Sequence, residues 1–511
     1  MGAHTFTGAL RAAIPRSVRT AEVAMIAALT AVAILFGSAI IRQPLYAFAF
    51  AAFVGLAAAI VWYPRVAVAA ALSFLVLIEE FELSSTEAFF ESGISKSILA
   101  LRIAGVSFPD ALTLIFLIPA MIRVWHDWRV SGVPVLRPLD RLFLPILLVY
   151  AWGAVMGLFH YLTPSHFSWE ARDIITIIAW YFVVSRTFST RRDVVLVIAV
   201  ILLTFSVKSL LFAYRAVAGE GLFYGFDFYR RALGSDVPMT ALPLVTLIGI
   251  SVLVKDPPRW FRVLIIGLIG YWSVWFVGSL GRATYLAAAL AMVSIFLLMR
   301  RQVRPVHVLL PLGAAVVGGM GYYWLILTEA NRALVSNMLG TSINWVDAIM
   351  LYEDKSMGQR VMEIMNISET LSRSGAWLWG LGWGAPWEEL VVHHPIDVAS
   401  FEHMEAVRGI HTSAHIDAVY YLLKVGIAGT TILYIAYLRF VRTAMRLFHR
   451  ESDMFVKAAM LAIIAMILIF LPNFVYFLKL KILLGAAFGC LCILDRAPEV
   501  SSAPMMERPS A

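Results

Sequence analysis

His411-Thr-Ser-Ala-His415-Ile-Asp417, running on through Tyr420-Tyr-Leu-Leu-Lys-Val-Gly-Ile-Ala-Gly429, closes a polar segment that opens at Thr328. It is the one long polar interruption in a chain that otherwise reads as one hydrophobic run after another. Within it lie Gly358-Gln-Arg360, a short amphipathic pattern with Val361, Ile364, Met365 and Leu371 on one side, and Trp379-Gly-Leu-Gly-Trp-Gly-Ala-Pro386. Long ordered loops usually carry function. The segment is therefore read as the reactive face, and the apolar runs on either side as its scaffold.

The runs themselves fix the class. Of 511 residues, 61% are hydrophobic and 14% charged, with a mean hydropathy of +0.82; soluble domains carry roughly 25% charged residues. Stretches near the ~20 residues needed to cross a bilayer recur throughout, with charge clusters between them. The expected fold is all-α: a polytopic integral membrane protein with about 12–14 transmembrane helices and one long extracytoplasmic loop. Spans are expected near 22–41, 45–62, 66–79, 109–125, 142–160, 170–187, 193–213, 238–254, 260–278, 281–299, 306–327, 413–438, 454–472 and 476–494. Residues 1–327 form an N-terminal membrane part and 328–412 the loop with short helices. A C-terminal membrane part covers 413–494, and 495–511 is a Pro/Ser-rich, disordered cytoplasmic tail. Arg11, Arg16 and Arg19 before the first run read as the cytoplasmic flank of a retained helix rather than a signal peptide.

Charge sets the topology. Arg123, Arg129, Arg137 and Arg141 form one basic cluster, and Arg186, Arg191 and Arg192 the next. Lys255, Arg259 and Arg262, then Arg300, Arg301 and Arg304, and finally Arg439, Arg442, Arg446 and Arg450 complete the set, as the positive-inside rule requires of cytoplasmic loops. The rule also accounts for the net charge of +8 without nucleic acid. Strict alternation through all fourteen spans does not reproduce this partition, which makes one or two short spans suspect, and the Lys/Arg bias is followed. The Thr328–Ile410 loop then faces away from the cytoplasm. Cys490 and Cys492, the only cysteines, lie in the last run and imply neither a disulfide framework nor a metal site.

Several arginines fall on the outer side. Arg282 sits in Gly278-Ser-Leu-Gly-Arg-Ala-Thr284, between two runs with almost no loop; Arg230 and Arg231 precede another span, and Arg360 opens the amphipathic pattern. A guanidinium suits a diphosphate, because its forked donors match phosphate oxygens. Each arginine alone better suits snorkelling to headgroups or pairing with a nearby Glu or Asp, and it is their convergence on one loop that favours an anion. Gly380, Gly382 and Gly384 follow a helix, not a strand, so they permit a tight turn and close backbone approach rather than forming a dinucleotide loop. The tryptophans suit the interface or a sugar face.

His411 and His415, four apart, share a helix face. They read as interfacial histidines, as metal ligands lacking a third partner, or as a general base for a sugar hydroxyl. His393, His394, Glu402, His403 and Glu405 are less well placed. No Asp-x-Asp or Asp-rich pair falls on the outer side, which disfavours a metal-held nucleotide sugar.

These residues resemble the O-antigen ligase and O-antigen polymerase superfamily of bacterial envelope polysaccharide assembly. Arg231-Ala-Leu-Gly234 is similar to its Arg-x-x-Gly segment, and Gly281-Arg282-Ala-Thr to its arginine junction. Gln359-Arg360 with Gly380-Leu-Gly-Trp-Gly384 is similar to its arginine and glycine loop. His415 before Gly426 and Gly429 is similar to its histidine and Gly-x-x-Gly helix. Two positions depart from the pattern: Ser235-Asp-Val-Pro238 replaces a Pro-Asn, and Ile416 follows the histidine, while a Thr follows His411.

The resemblance implies a GT-C-like, metal-independent glycosyltransferase of the bacterial inner membrane, with no cofactor, its N-terminus cytoplasmic and its active site periplasmic. The donor would be an undecaprenyl-diphosphate-linked glycan and the acceptor a sugar hydroxyl on lipid A-core or another repeat. Arg231, Arg282 and Arg360 would hold the diphosphate, His415 or His411 would be the base, and the glycine loop would close over the donor. A flippase and a chain-length regulator are its implied partners. The rival classes are a transporter or flippase of a lipid-linked or anionic substrate, and a structural scaffold. A transporter needs broken or charged helices at mid-membrane depth in matching halves, and Lys208 is the one charge noted well inside a predicted helix.

Overall fold

The computed structural model describes residues 62–77, 102–103, 106–131, 137–160, 164–217, 237–254, 257–278, 282–301, 355–392, 410–411, 414, 416–470 and 478–496, and positions 303, 313 and 317. The predicted spans 22–41, 45–62 and 306–327 fall almost wholly outside these residues, as do Arg231, His415 and the tail. Among the described residues there are twelve α-helices and four two-residue strands, β1 (Arg102–Ile103), β2 (Val106–Ser107), β3 (Trp387–Glu388) and β4 (Ile410–His411). The helices are α1 (Pro64–Leu77), α2 (Phe108–Ser131), α3 (Phe143–His160), α4 (Pro164–Thr187), α5 (Arg191–Val217) and α6 (Val237–Leu253). Then come α7 (Arg259–Gly278), α8 (Arg282–Leu298), α9 (Lys355–Ser374), α10 (Asp417–Arg450), α11 (Met454–Phe470) and α12 (Leu478–Arg496).

Four of these helices are long and apolar enough to cross a membrane: Asp110–Val130, Pro138–Phe159 (entered by a 3₁₀ turn), Arg191–Leu210 and Asp417–Arg450. Much of the exposed surface of the bundle is apolar too. On α8, Leu286, Leu290, Val293 and Leu297 recur at helical spacing and are all more than half exposed. In water that stripe would be an aggregation surface; against lipid tails it is the expected finish of a membrane-embedded helical protein.

Helices α11 and α12 form the centre, with almost every side chain buried. Helix α12 runs beside α4 in the same direction, Gly485 against Ile177 and Trp180 and Gly489 against Val184 and Tyr181. Small residues four apart let two backbones approach closely, which is how helices gain packing in a medium as apolar as themselves. Side-chain bonds tie one end of the bundle. The Arg186 guanidinium donates to Asp140 at 2.8 Å, Tyr181 donates to the same carboxylate, and Arg137 donates to the Ser185 carbonyl at 2.5 Å. Arg191 pairs with Glu451 at 3.1 Å, and Arg65 with Asp193 at 3.5 Å.

These ties place the ends of α4, α10 and α12 with the starts of α1, α3 and α5. The short turns α4–α5, α6–α7 and α7–α8 continue the up-and-down order. The short predicted spans 66–79, 454–472 and 476–494 all fall on helices, of which Pro64–Leu77 and Met454–Phe470 are shorter than the four long enough to cross. Two boundaries also change. The predicted span 413–438 becomes a helix reaching Arg450, because Arg439, Arg442, Arg446 and Arg450 keep helical spacing opposite buried Phe440, Val441, Ala444 and Phe448. In the loop, α9 is a full 20 residues rather than a short helix.

Candidate functional site

Helix α10 does not run straight. At Gly426 the backbone takes φ 67°, ψ −173°, breaking the helix into two halves. The helix is kinked there, and its two halves meet in an elbow.

A broken helix inside a membrane protein needs partners for the groups it releases. An intact α10 would join the Ile427 amide to the Leu423 carbonyl and the Ala428 amide to the Lys424 carbonyl. Instead, the loop after α9 enters the gap. Ile427 donates to the Trp377 carbonyl at 2.9 Å and Ala428 to the Leu378 carbonyl at 3.2 Å. Leu381 and Gly382 donate to the carbonyls of Leu423 and Lys424, each at 2.8 Å. Two helical bonds become four, all running through the glycine-tryptophan loop. That loop is a wedge held on both sides.

The fit explains the glycines. Gly382 has φ 93°, and a Cβ there would overlap the backbone of Gly157 on α3. Gly380 lies against Gly426 itself, where a Cβ would come to 2.5 Å from the amide nitrogen. Trp383 fills the groove beside Gly153: its amide donates to the Gly153 carbonyl at 2.9 Å and its indole N–H to the Tyr150 carbonyl at 2.8 Å. It stacks on Tyr150 with ring centres 4.6 Å apart, fully buried. Trp379 alone suits an interface, being half exposed, and its carbonyl accepts from the Trp152 indole at 3.1 Å.

A buried ion pair fastens the wedge's far end. Lys424, in the short first half of α10, places Nζ 2.6 Å from Glu170 Oε1 on α4 and 2.7 Å from the Ala385 carbonyl, above the Tyr420 ring. These partners match the ammonium's three donors. Glu170 Oε2 accepts the Gly384 amide at 2.5 Å. Lys208 is thus not the one charge inside a helix: Lys424, Lys479 and Lys481 are buried within helices too. Lys424 stands in plain view between Leu423 and Val425 in the sequence, but its partner is 254 residues away (424 − 170), and only packing reveals the pair.

Beyond the wedge, Trp387–Glu388 (β3) pairs antiparallel with Ile410–His411 (β4), Trp387 facing His411. Asn366 on α9 clamps the chain after β3, its oxygen accepting from Val391 at 2.7 Å and Val392 at 3.2 Å while its nitrogen donates to the Val392 carbonyl at 2.7 Å. The buried face of α9 is Met362, Glu363, Asn366, Ile367 and Leu371. Of the four apolar residues expected to share one side, Leu371 is buried and Val361 half-buried, while Ile364 and Met365 are exposed, because the helix turns its polar Asn366 inward to satisfy the strand backbone. Arg360 is half-buried near the start of α9. The helix of Arg360, the loop of Gly380, Gly382 and Gly384, and the strand of His411 therefore belong to one assembly seated against α3, α4 and α10. Arg282 begins α8. His393, His394, Glu402, His403 and Glu405, like Arg231 and His415, lie outside the described residues. Among the described residues no three His, Cys, Asp or Glu side chains gather as a metal site. Comparison with protein-family models, characterised proteins and solved structures finds no match.

Proposed function

We propose that the chain is a membrane glycosyltransferase of the O-antigen ligase or polymerase kind, moving a glycan from undecaprenyl diphosphate to a sugar hydroxyl on lipid A-core or another repeat. One observation carries the reading: the elements bearing Arg360, the glycine loop and His411 form a single assembly, at the bundle end away from the arginine clusters. The positive-inside rule makes that end periplasmic, with the N-terminus cytoplasmic and about 12–14 crossings of the inner membrane in all.

In this reading the acceptor hydroxyl attacks the anomeric carbon as the bond to the diphosphate oxygen breaks, inverting the centre. The hydroxyl proton passes to the imidazole of His411 or His415. The departing diphosphate keeps the bonding electrons, and Arg231, Arg282 and Arg360 stabilise its growing charge. The wedge holds this geometry rather than closing over it.

A second reading, a transporter of a lipid-linked or anionic substrate, is favoured by the helix break at Gly426 and the buried Glu170–Lys424 pair, both features of transport sites. Glycan output separates the two in a null strain complemented with Arg282→Ala, Arg360→Ala, His411→Ala or His415→Ala at matched membrane levels. Loss of product with long lipid-linked chains accumulating means a ligase, and accumulation of single repeats a polymerase. Normal glycan in all four variants overturns the transferase and leaves the transporter.

A further inference from the structure

We propose that Glu170 and Lys424 are positioning residues that set strand β3, and through it His411, against the helix of Arg360. As a functional statement this rests on the transferase reading; as a geometric one it does not. The chain of contacts is short. Glu170 and Lys424 hold the consecutive Gly384 amide and Ala385 carbonyl at 2.5 and 2.7 Å. Two residues after Ala385, Trp387 begins β3 and faces His411 in register. Asn366 fixes the other end of the same segment at Val391 and Val392, less than two turns of α9 from Arg360. The segment between Gly384 and Val392 is thus pinned at both ends, and β4 takes its place from the pinned strand.

The pair's location gives it leverage. Glu170 stands one turn before Ile174, where the apolar part of α4 begins, and Lys424 ends the first half of the broken helix. The latch therefore ties three separate pieces together: α4, the elbow of α10 and the wedge. Both side chains are buried, so their attraction is little screened by water or salt. The strands β3 and β4 are only two residues each, and so short a pair does not hold its own position.

The test uses the full chain in membranes carrying Glu388→Cys and Ile410→Cys. These positions are directly opposed in the strand pair, at a spacing that suits a disulfide. Cross-linking rate under mild oxidation reports the β3–β4 register without reference to activity. Glu170→Met or Lys424→Met alone leaves a buried charge without its partner, and is expected to slow cross-linking on the order of tenfold or more and to lower the folded yield. The double variant Glu170→Met/Lys424→Met buries no lone charge and is expected to recover folded yield. Its cross-linking and glycan output stay low, because Gly384 and Ala385 have lost their anchors.

Unchanged cross-linking in the single variants, or full recovery of cross-linking in the double variant, overturns the latch. Slowed cross-linking together with normal glycan output, in these variants and in Arg360→Ala and His411→Ala, upholds the latch and overturns the transferase reading instead.

Discussion

Replacing Gly382 with alanine tests the wedge at its tightest point, and Gly375 supplies the matched control. Both glycines have positive φ, 93° and 65°, so an added Cβ costs each about 1–2 kcal/mol in backbone conformation. They differ in surroundings. Nothing lies within 4 Å of a Cβ on Gly375, whereas one on Gly382 would overlap the α3 backbone at Gly157. Neither backbone can yield alone, so the loop must lift from α3. Lifting breaks the bonds from the Trp383 amide and indole N–H to the Gly153 and Tyr150 carbonyls, and each buried donor left without a partner costs about 1–3 kcal/mol. The expected loss is about 3–8 kcal/mol for Gly382→Ala against about 1–2 kcal/mol for Gly375→Ala. Unfolding in mixed micelles at increasing SDS, followed by tryptophan fluorescence, measures both. Trp383 is a suitable reporter because its indole sits buried in the same groove. Equal destabilisation by the two substitutions would refute the wedge.

Helix packing and the strand clamp give two more expectations. Gly485→Leu drives a side chain into Ile177 and Trp180 and should dislodge α12 from α4, costing about 1–3 kcal/mol or more. Gly267→Leu, with nothing within 4 Å of its Cβ, should stay within about 0.5 kcal/mol in the same unfolding assay. Asn366→Leu strands the amides of Val391 and Val392 and the Val392 carbonyl, and limited proteolysis should cut near those residues on the order of tenfold faster. Asn366→Asp keeps the two accepted bonds and should fall between; cleavage unchanged in both would remove Asn366 from its clamping role.

Much of the scaffold could be read from composition. Apolar runs and flanking arginines located nearly every described helix to within a few residues, because in lipid a helix must satisfy its own backbone and be about as long as the bilayer is thick. The reading failed where apolarity stopped being the deciding variable. Helix α10 continues past Leu438 on an amphipathic pattern, and α9 buries Asn366 and Glu363 while exposing Ile364 and Met365. The glycine stretch does permit close backbone approach, but its partners Gly153, Gly157 and Gly426 are distant in sequence. The Glu170–Lys424 pair was missed for the same reason, since nothing local distinguishes a lysine that snorkels from one that bridges two helices and a loop. Of the candidate site residues, the three glycines can be judged by their geometry and Arg360 by its place on α9.

The elbow also bears on how the chain is assembled. When residues 417–450 first leave the insertion machinery, Gly426 leaves them able to form one continuous helix, with every amide paired within it. Breaking it at that stage would expose the Leu423 and Lys424 carbonyls and the Ile427 and Ala428 amides to hydrocarbon, at several kcal/mol for each group. The break becomes affordable only when the wedge arrives already seated on Gly153 and Gly157. Synthesis order favours this, because α3 and the wedge both precede α10. The bend is then a late event in biogenesis, templated by segments made earlier, and a variant with a defective wedge would leave the ribosome intact yet settle with α10 straight.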